Sequence, residues 1–123
     1  MEFVTFELAK KLKEKGFPQG NKEDFRNYYY KISDGLQMAI MVSNGEEVEW
    51  YCPNISEVLK WLRDEKKLYI MPYNALSREY NIKWDFEIDD LNTSDIIYES
   101  RLIYNSYEEA ALAGIEYVLN NLI

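Results

Sequence analysis

Asn54-Ile55-Ser56-Glu57-Val58-Leu59-Lys60-Trp61-Leu62-Arg63-Asp64-Glu65-Lys66-Lys67-Leu68-Tyr69-Ile70-Met71 is the stretch on which the fold turns. Asn54 can accept hydrogen bonds from the free N–H groups of a first helical turn, and Glu57 stands three residues on, the spacing of a capping box. Behind that cap Ile55, Val58, Leu59 and Leu62 fall at i, i+3, i+4 and i+7, so all four share one side of a helix over about residues 55–66. That side is expected to be buried, with Trp61 at its edge. Lys60 and Asp64 form an i, i+4 pair on the wet side, and Lys66 and Lys67 suit the negative end of the helix dipole in the last turn. Leu68 to Met71 then reads as a short apolar strand stopped by Pro72.

Upstream, Thr5 is placed to cap a first helix of about ten residues with Leu8, Ala9 and Leu12 on its inner side. Gly16 can take the left-handed position that ends it, Phe17 can fold back on Leu12, and Pro18 makes the stop firm. Lys10, Lys11, Lys13 and Lys15 read as a solvated face. Residues 18–24 are turn-prone. Tyr28 to Ile32 has strand propensity, Ser33-Asp34-Gly35 is turn-like, and Leu36 to Ser43 is apolar, as strand or as a helical turn. Asn44-Gly45 signals a hairpin into Val48 to Tyr51, which gives a meander of two or three strands.

The run Cys52-Pro53-Asn54-Ile55-Ser56-Glu57-Val58-Leu59-Lys60-Trp61-Leu62-Arg63 resembles a motif of small uncharacterised proteins from Bacteroides-type gut bacteria and their phages and mobile elements. The opening residues 6–17 and the closing residues 108–116 are similar to the ends of the same family. The resemblance implies a phage- or mobile-element-related protein and supplies no catalytic or binding residues.

Downstream of Pro72 a helical turn is expected at Ala75 to Tyr80. Trp84, Phe86 and Ile88 alternate with Asp85, Glu87 and Asp89, the pattern of a strand with one dry and one wet face. After a turn at Asp90 to Asp95, residues 96–104 alternate again, so the two segments make an antiparallel hairpin. Matching the dry faces and setting Asp85 across from Arg101 fixes its register. Ser106 and Glu109 repeat the capping-box spacing and open a last helix over about residues 107–121. Ala111, Leu112, Ile115, Val118, Leu119 and Leu122 cover one side of it. A second side, Ala110, Ala113 and Gly114, is small enough for close approach by the first helix or by a second copy of the chain. The expected fold is thus one α+β domain over residues 1–123, with helices on one face of a mostly antiparallel sheet of about five or six short strands.

A chain of 123 residues can bury a core without staples, and its single cysteine rules out an internal disulfide. No long apolar run or leader-like start is present, so the expected address is cytoplasmic, with no membrane contact. Residues 84–123 hold nine acidic side chains against one arginine, a net charge of −8 that equals the whole chain's. Such a segment is a poor binder of phosphates, and direct nucleic-acid binding is not expected.

The chain has no histidine, which removes Ser-His-Asp and Cys-His nucleophile systems and the usual zinc ligand sets. No Gly-rich phosphate loop occurs. Cys52 beside a helix start could be an activated thiol, but with no histidine to act as base it reads as a packing residue. The acidic set Asp85, Glu87, Asp89 and Asp90 could hold a divalent cation or act as an acid/base pair; its plainer reading is a solvated face that discourages edge-to-edge pairing. No cofactor or metal is expected.

Eleven tyrosines in 123 residues are the composition's main departure from the ordinary. Tyr28, Tyr29, Tyr30, Tyr69 and Tyr73 are therefore candidate partner-binding residues, because tyrosine is large, stiff and polar at its tip. The leading expectation is a non-enzymatic protein-interaction protein with an unidentified protein partner, a homodimer included. An acidic mimic occupying the basic site of a DNA-binding protein is one alternative, and carboxylate or divalent-metal chemistry at residues 85–90 is another.

Overall fold

A computed structural model describes residues 3–19, 26–32, 35–41, 48–99 and 102–123. It is α+β, with three helices, and its backbone contacts fall into two compact units, residues 3–54 and residues 55–123. A single sheet of five or six strands is not what forms. Each unit has its own three-stranded antiparallel sheet.

In the first unit Thr5 caps α1 (Phe6–Glu14) as its sequence implies, its Oγ1 accepting from the Leu8 N–H at 3.3 Å. Gly16 sits at φ 92°, where a side chain would be strained, and the Phe17 N–H donates to the Leu12 carbonyl at 2.9 Å. Leu8, Ala9, Leu12 and Phe17 are buried. Strands β1 (Arg26–Ile32), β2 (Gly35–Met41) and β3 (Val48–Tyr51) lie in the order β2-β1-β3. Residues 36–41 are therefore strand, and Ile32 pairs with Gly35 across the expected turn. The Asn44-Gly45 hairpin lies outside the described residues, but β3 pairs with β1 and not with β2, so the order is not a simple meander. Cys52 is fully buried and its thiol faces the Val4 carbonyl at 3.6 Å, the position of a packing residue.

The second unit begins with α2 (Ile55–Glu65), which buries Ile55, Val58 and Leu62. Leu59, expected with them, is half-buried. The helix ends at Glu65, one residue before the expected 66: Lys67 takes the left-handed conformation at φ 57°, and Lys66 Nζ lies 5.3 Å from the Trp61 ring centre. On the wet side Asp64 accepts from its neighbour Arg63 at 3.1 Å.

Strand β4 (Leu68–Leu76) runs straight through Pro72, and the helical turn expected at residues 75–80 is instead strand and tight turn. The reason lies in β5 (Ile82–Asp90). Trp84 exchanges both backbone bonds with Tyr104, at 2.8 and 3.0 Å, so Phe86, two residues along, also turns its backbone groups away from β4. Opposite Phe86, Pro72 has no ladder bond to lose, which is how an edge strand tolerates proline. Strand β6 (Ile96–Glu99) adds to the far side of β5, with Glu87 facing Glu99 and Ile88 facing Tyr98. Over these rungs the offset is the expected one, but Trp84 bridges Tyr104, two residues out of that register, and Arg101 lies outside the described residues.

Helix α3 (Tyr107–Asn121) is capped by Ser106, whose Oγ accepts from the Glu109 N–H at 3.1 Å, while the Glu109 carboxylate accepts from the Asn105 N–H at 2.9 Å. Ala110, Ala111, Gly114, Ile115, Val118 and Leu119 are buried; Leu112 and Leu122 are half-buried. The small side does permit close approach, to the sheet of its own unit. A Cβ on Gly114 would lie 2.7 Å from Ile70 Cγ2 and 3.2 Å from the Phe86 ring.

Candidate functional site

The register of β4 and β5 sets Tyr69, Met71, Tyr73 and Ala75 across from Asp89, Glu87, Asp85 and Lys83 on one face of the sheet. This face was expected to be wet. Asp85 instead is only 1% exposed, because both its oxygens have internal work: Oδ2 accepts from the Tyr73 hydroxyl at 3.0 Å and Oδ1 from the Phe86 N–H at 2.7 Å. A carboxylate held by two donors can stay buried where a lone one could not. The same bond turns Tyr73 inward, so the acid and the tyrosine that sequence reading placed on two outer surfaces satisfy each other.

Asp90 does a different job. Its carboxylate accepts from the Asn92 N–H at 2.8 Å, tying the turn that leads to β6. By strand alternation it also lies on the opposite face from Asp85, Glu87 and Asp89. Glu87 and Asp89 are half-buried. Among the described residues no three carboxylates, thiols or imidazoles come close enough to hold a metal ion.

The helix-facing side of the sheet consumes much of the tyrosine surplus. Phe86 stacks on Tyr98 at 5.2 Å between ring centres, Tyr98 on Tyr117 at 4.0 Å, and Phe86 meets Tyr104 at 6.0 Å. Trp84 receives the ring of Tyr107 edge-on at 5.8 Å. Burial pushes the Tyr104 phenol above the usual tyrosine range, with help from the nearby charges of Tyr98, Asp85 and Glu116. Of the candidate partner residues with described side chains, Tyr69 is exposed and Tyr73 half-buried. The side chains of Tyr28, Tyr29 and Tyr30 lie outside the described residues.

The feature that sequence reading missed is at the other end of the β4–β5 hairpin. Ile70 with Ile88, Pro72 with Phe86, Asn74 with Trp84 and Leu76 with Ile82 are successive rungs of one face. Helix α3 starts at Tyr107, against Trp84, so the last rung projects past the helix that covers the others. Leu76 is 59% exposed and Ile82 62%. Between the two strands the Ser77 hydroxyl accepts from the Glu79 and Asn81 N–H groups, both at 3.3 Å, and Tyr80 is held at φ 64° with 84% of its surface in solvent.

Leu76, Ser77, Arg78, Glu79, Lys83 and Leu102 line a cleft of about 620 Å³ beside this turn. Lys83 Nζ donates to Asn105 Oδ1 at 2.6 Å. The sequence did hold a signal: Ile82 continues the phase of Trp84, Phe86 and Ile88, and Leu76 stands six residues before it across a polar Ser-Arg-Glu-Tyr-Asn turn. No family model, curated protein or solved structure matches the chain.

Proposed function

We propose that the chain acts by protein contact, through the uncovered rung and turn formed by Leu76, Tyr80 and Ile82. The observation that carries this reading is Tyr80. A bulky side chain at positive φ costs about 1 to 2 kcal/mol relative to the ordinary backbone regions, and glycine or asparagine would sit there with less strain. Strain held at an exposed aromatic, in the turn between the exposed Leu76 and Ile82, fits a contact residue better than a structural one. Tyrosine is also a preferred residue in interface centres.

The two alternatives have less support. An acidic mimic needs Asp85 to Glu99 as an outward row, and Asp85 is buried while Asp90 ties a turn. Carboxylate chemistry needs convergence, and the acids split between two faces of the strand. The test is capture from a native-host lysate with tagged protein, comparing wild type with Tyr80→Asn and Ile82→Thr. Partners recovered by the wild type should be lost from both variants while their melting temperatures hold or rise. Partners retained by both variants would place the contact surface elsewhere.

A further inference from the structure

We infer that the partner of this surface is a second copy of the chain, docked turn to turn about a twofold axis beside Arg78 and Glu79. The inference rests on the reading above that the hairpin end is a contact surface. A twofold interface must be self-complementary: whatever residue i touches on the partner, that residue's copy touches i in return. The turn meets this requirement in both its parts. The apolar residues Leu76, Tyr80 and Ile82 pack on their own copies, and the adjacent, exposed and oppositely charged Arg78 and Glu79 pair reciprocally across the axis. Among the described residues neither of these two side chains takes part in an ion pair.

Charge points to the same end of the molecule. A chain of net charge −8 repels its own copies over most approaches, and the acidic excess lies in residues 84–123. Residues 76–83 carry Arg78, Lys83 and Glu79, a net +1, so two copies can meet at the hairpin end against little like-charge repulsion. Size sets the strength. A standard stable interface takes about 800 Å² from each partner, and one turn with a handful of exposed side chains offers less, so the dimer is expected to be micromolar or weaker and in fast exchange.

The experiment is sedimentation velocity over a concentration series at low salt, with wild type, Arg78→Glu and Glu79→Arg, each first checked for an unchanged melting temperature. The weight-average sedimentation coefficient of the wild type should rise with concentration. Each single reversal sets like charges across the axis and should abolish the rise. Mixing the two variants gives one copy with two anions and one with two cations at the turn, and association should return. A wild type that stays monomeric at all concentrations overturns the inference, as does self-association by both single variants or a mixture that stays monomeric. If the monomeric wild type instead bound a polyglutamate peptide and Arg78→Glu did not, the hairpin end would remain a contact surface with an acidic partner. Self-association lost in Ile82→Thr but kept by both charge variants would overturn the reciprocal Arg78–Glu79 pairing while keeping the surface.

Discussion

Gly114→Ala is the substitution whose effect follows most directly from the packing of α3 on its sheet. In a free helix, glycine to alanine gains about 1 kcal/mol of helix propensity. Here the new methyl would sit 2.7 Å from Ile70 Cγ2 and 3.2 and 3.4 Å from Phe86 ring carbons, all on residues that are themselves buried. Forcing a methyl into such a site typically costs about 1 to 3 kcal/mol. The two effects oppose, and the net expectation is a loss of up to about 2 kcal/mol in place of the usual gain. Urea denaturation, read as a shift in midpoint at constant slope, measures it. Two further variants isolate the cause. Ala113→Gly, half-buried one residue away, should lose only the propensity of about 1 kcal/mol. In the Gly114→Ala, Ile70→Ala double variant the clashing methyl is gone, so the pair should be more stable than the sum of its single effects, within the range of about 0.5 to 3 kcal/mol seen for residues in contact. Stabilisation by Gly114→Ala alone, or strict additivity with Ile70→Ala, would refute the close approach.

Other outcomes follow from the same geometry. Leu62→Ala, at a fully buried position on α2, should cost about 2 to 5 kcal/mol, and Leu59→Ala clearly less because Leu59 is half-buried; equal losses in thermal or urea unfolding would contradict that orientation. Tyr73→Phe leaves Asp85 Oδ2 without its donor inside the protein and should cost about 1 to 3 kcal/mol, whereas Tyr69→Phe should be neutral on the same urea curves. Tyr104 has a folded-state pKa above its unfolded value near 10, so its contribution is complete below about pH 10 and is lost as pH rises through the folded pKa. Stability of Tyr104→Phe should accordingly fall less steeply with pH in that alkaline range, and identical alkaline unfolding curves would remove Tyr104 from the explanation. Tyr80→Asn should raise the melting temperature slightly by relieving the left-handed strain, and a marked fall would mean that the ring has structural work at the turn.

What could be read from the sequence was local. Residues 55–65 and 107–121 announce themselves because cap, stripe and stop agree, and Trp84, Phe86 and Ile88 mark a strand through strict alternation. What could not be read depended on partners distant in sequence. Pro72 is tolerated because the backbone groups of Phe86 turn away from it, and the strand order β2-β1-β3 depends on β3 choosing β1. Asp85 looked exposed because its burial requires Tyr73, twelve residues earlier, to supply a donor. The candidate surface was missed for a similar reason. Leu76 and Ile82 look like ordinary strand ends until the start of α3 is known to fall one rung short of them. The tyrosine surplus did point to special surfaces, but Tyr98, Tyr104 and Tyr117 serve packing under α3, and the most exposed of the described large hydrophobic residues is Tyr80, which composition could not single out.

Hydroxyl-radical footprinting reads the central claim residue by residue. The protein is oxidised first when dilute and pure, then at high concentration and in host lysate, and modification is followed at Tyr80, Ile82 and, as reference, Tyr69. Protection of Tyr80 and Ile82 under the crowded conditions, with Tyr69 unchanged, is the predicted pattern. Equal oxidation of Tyr80 and Ile82 in every condition would contradict the assignment of the hairpin end as the surface through which this protein works.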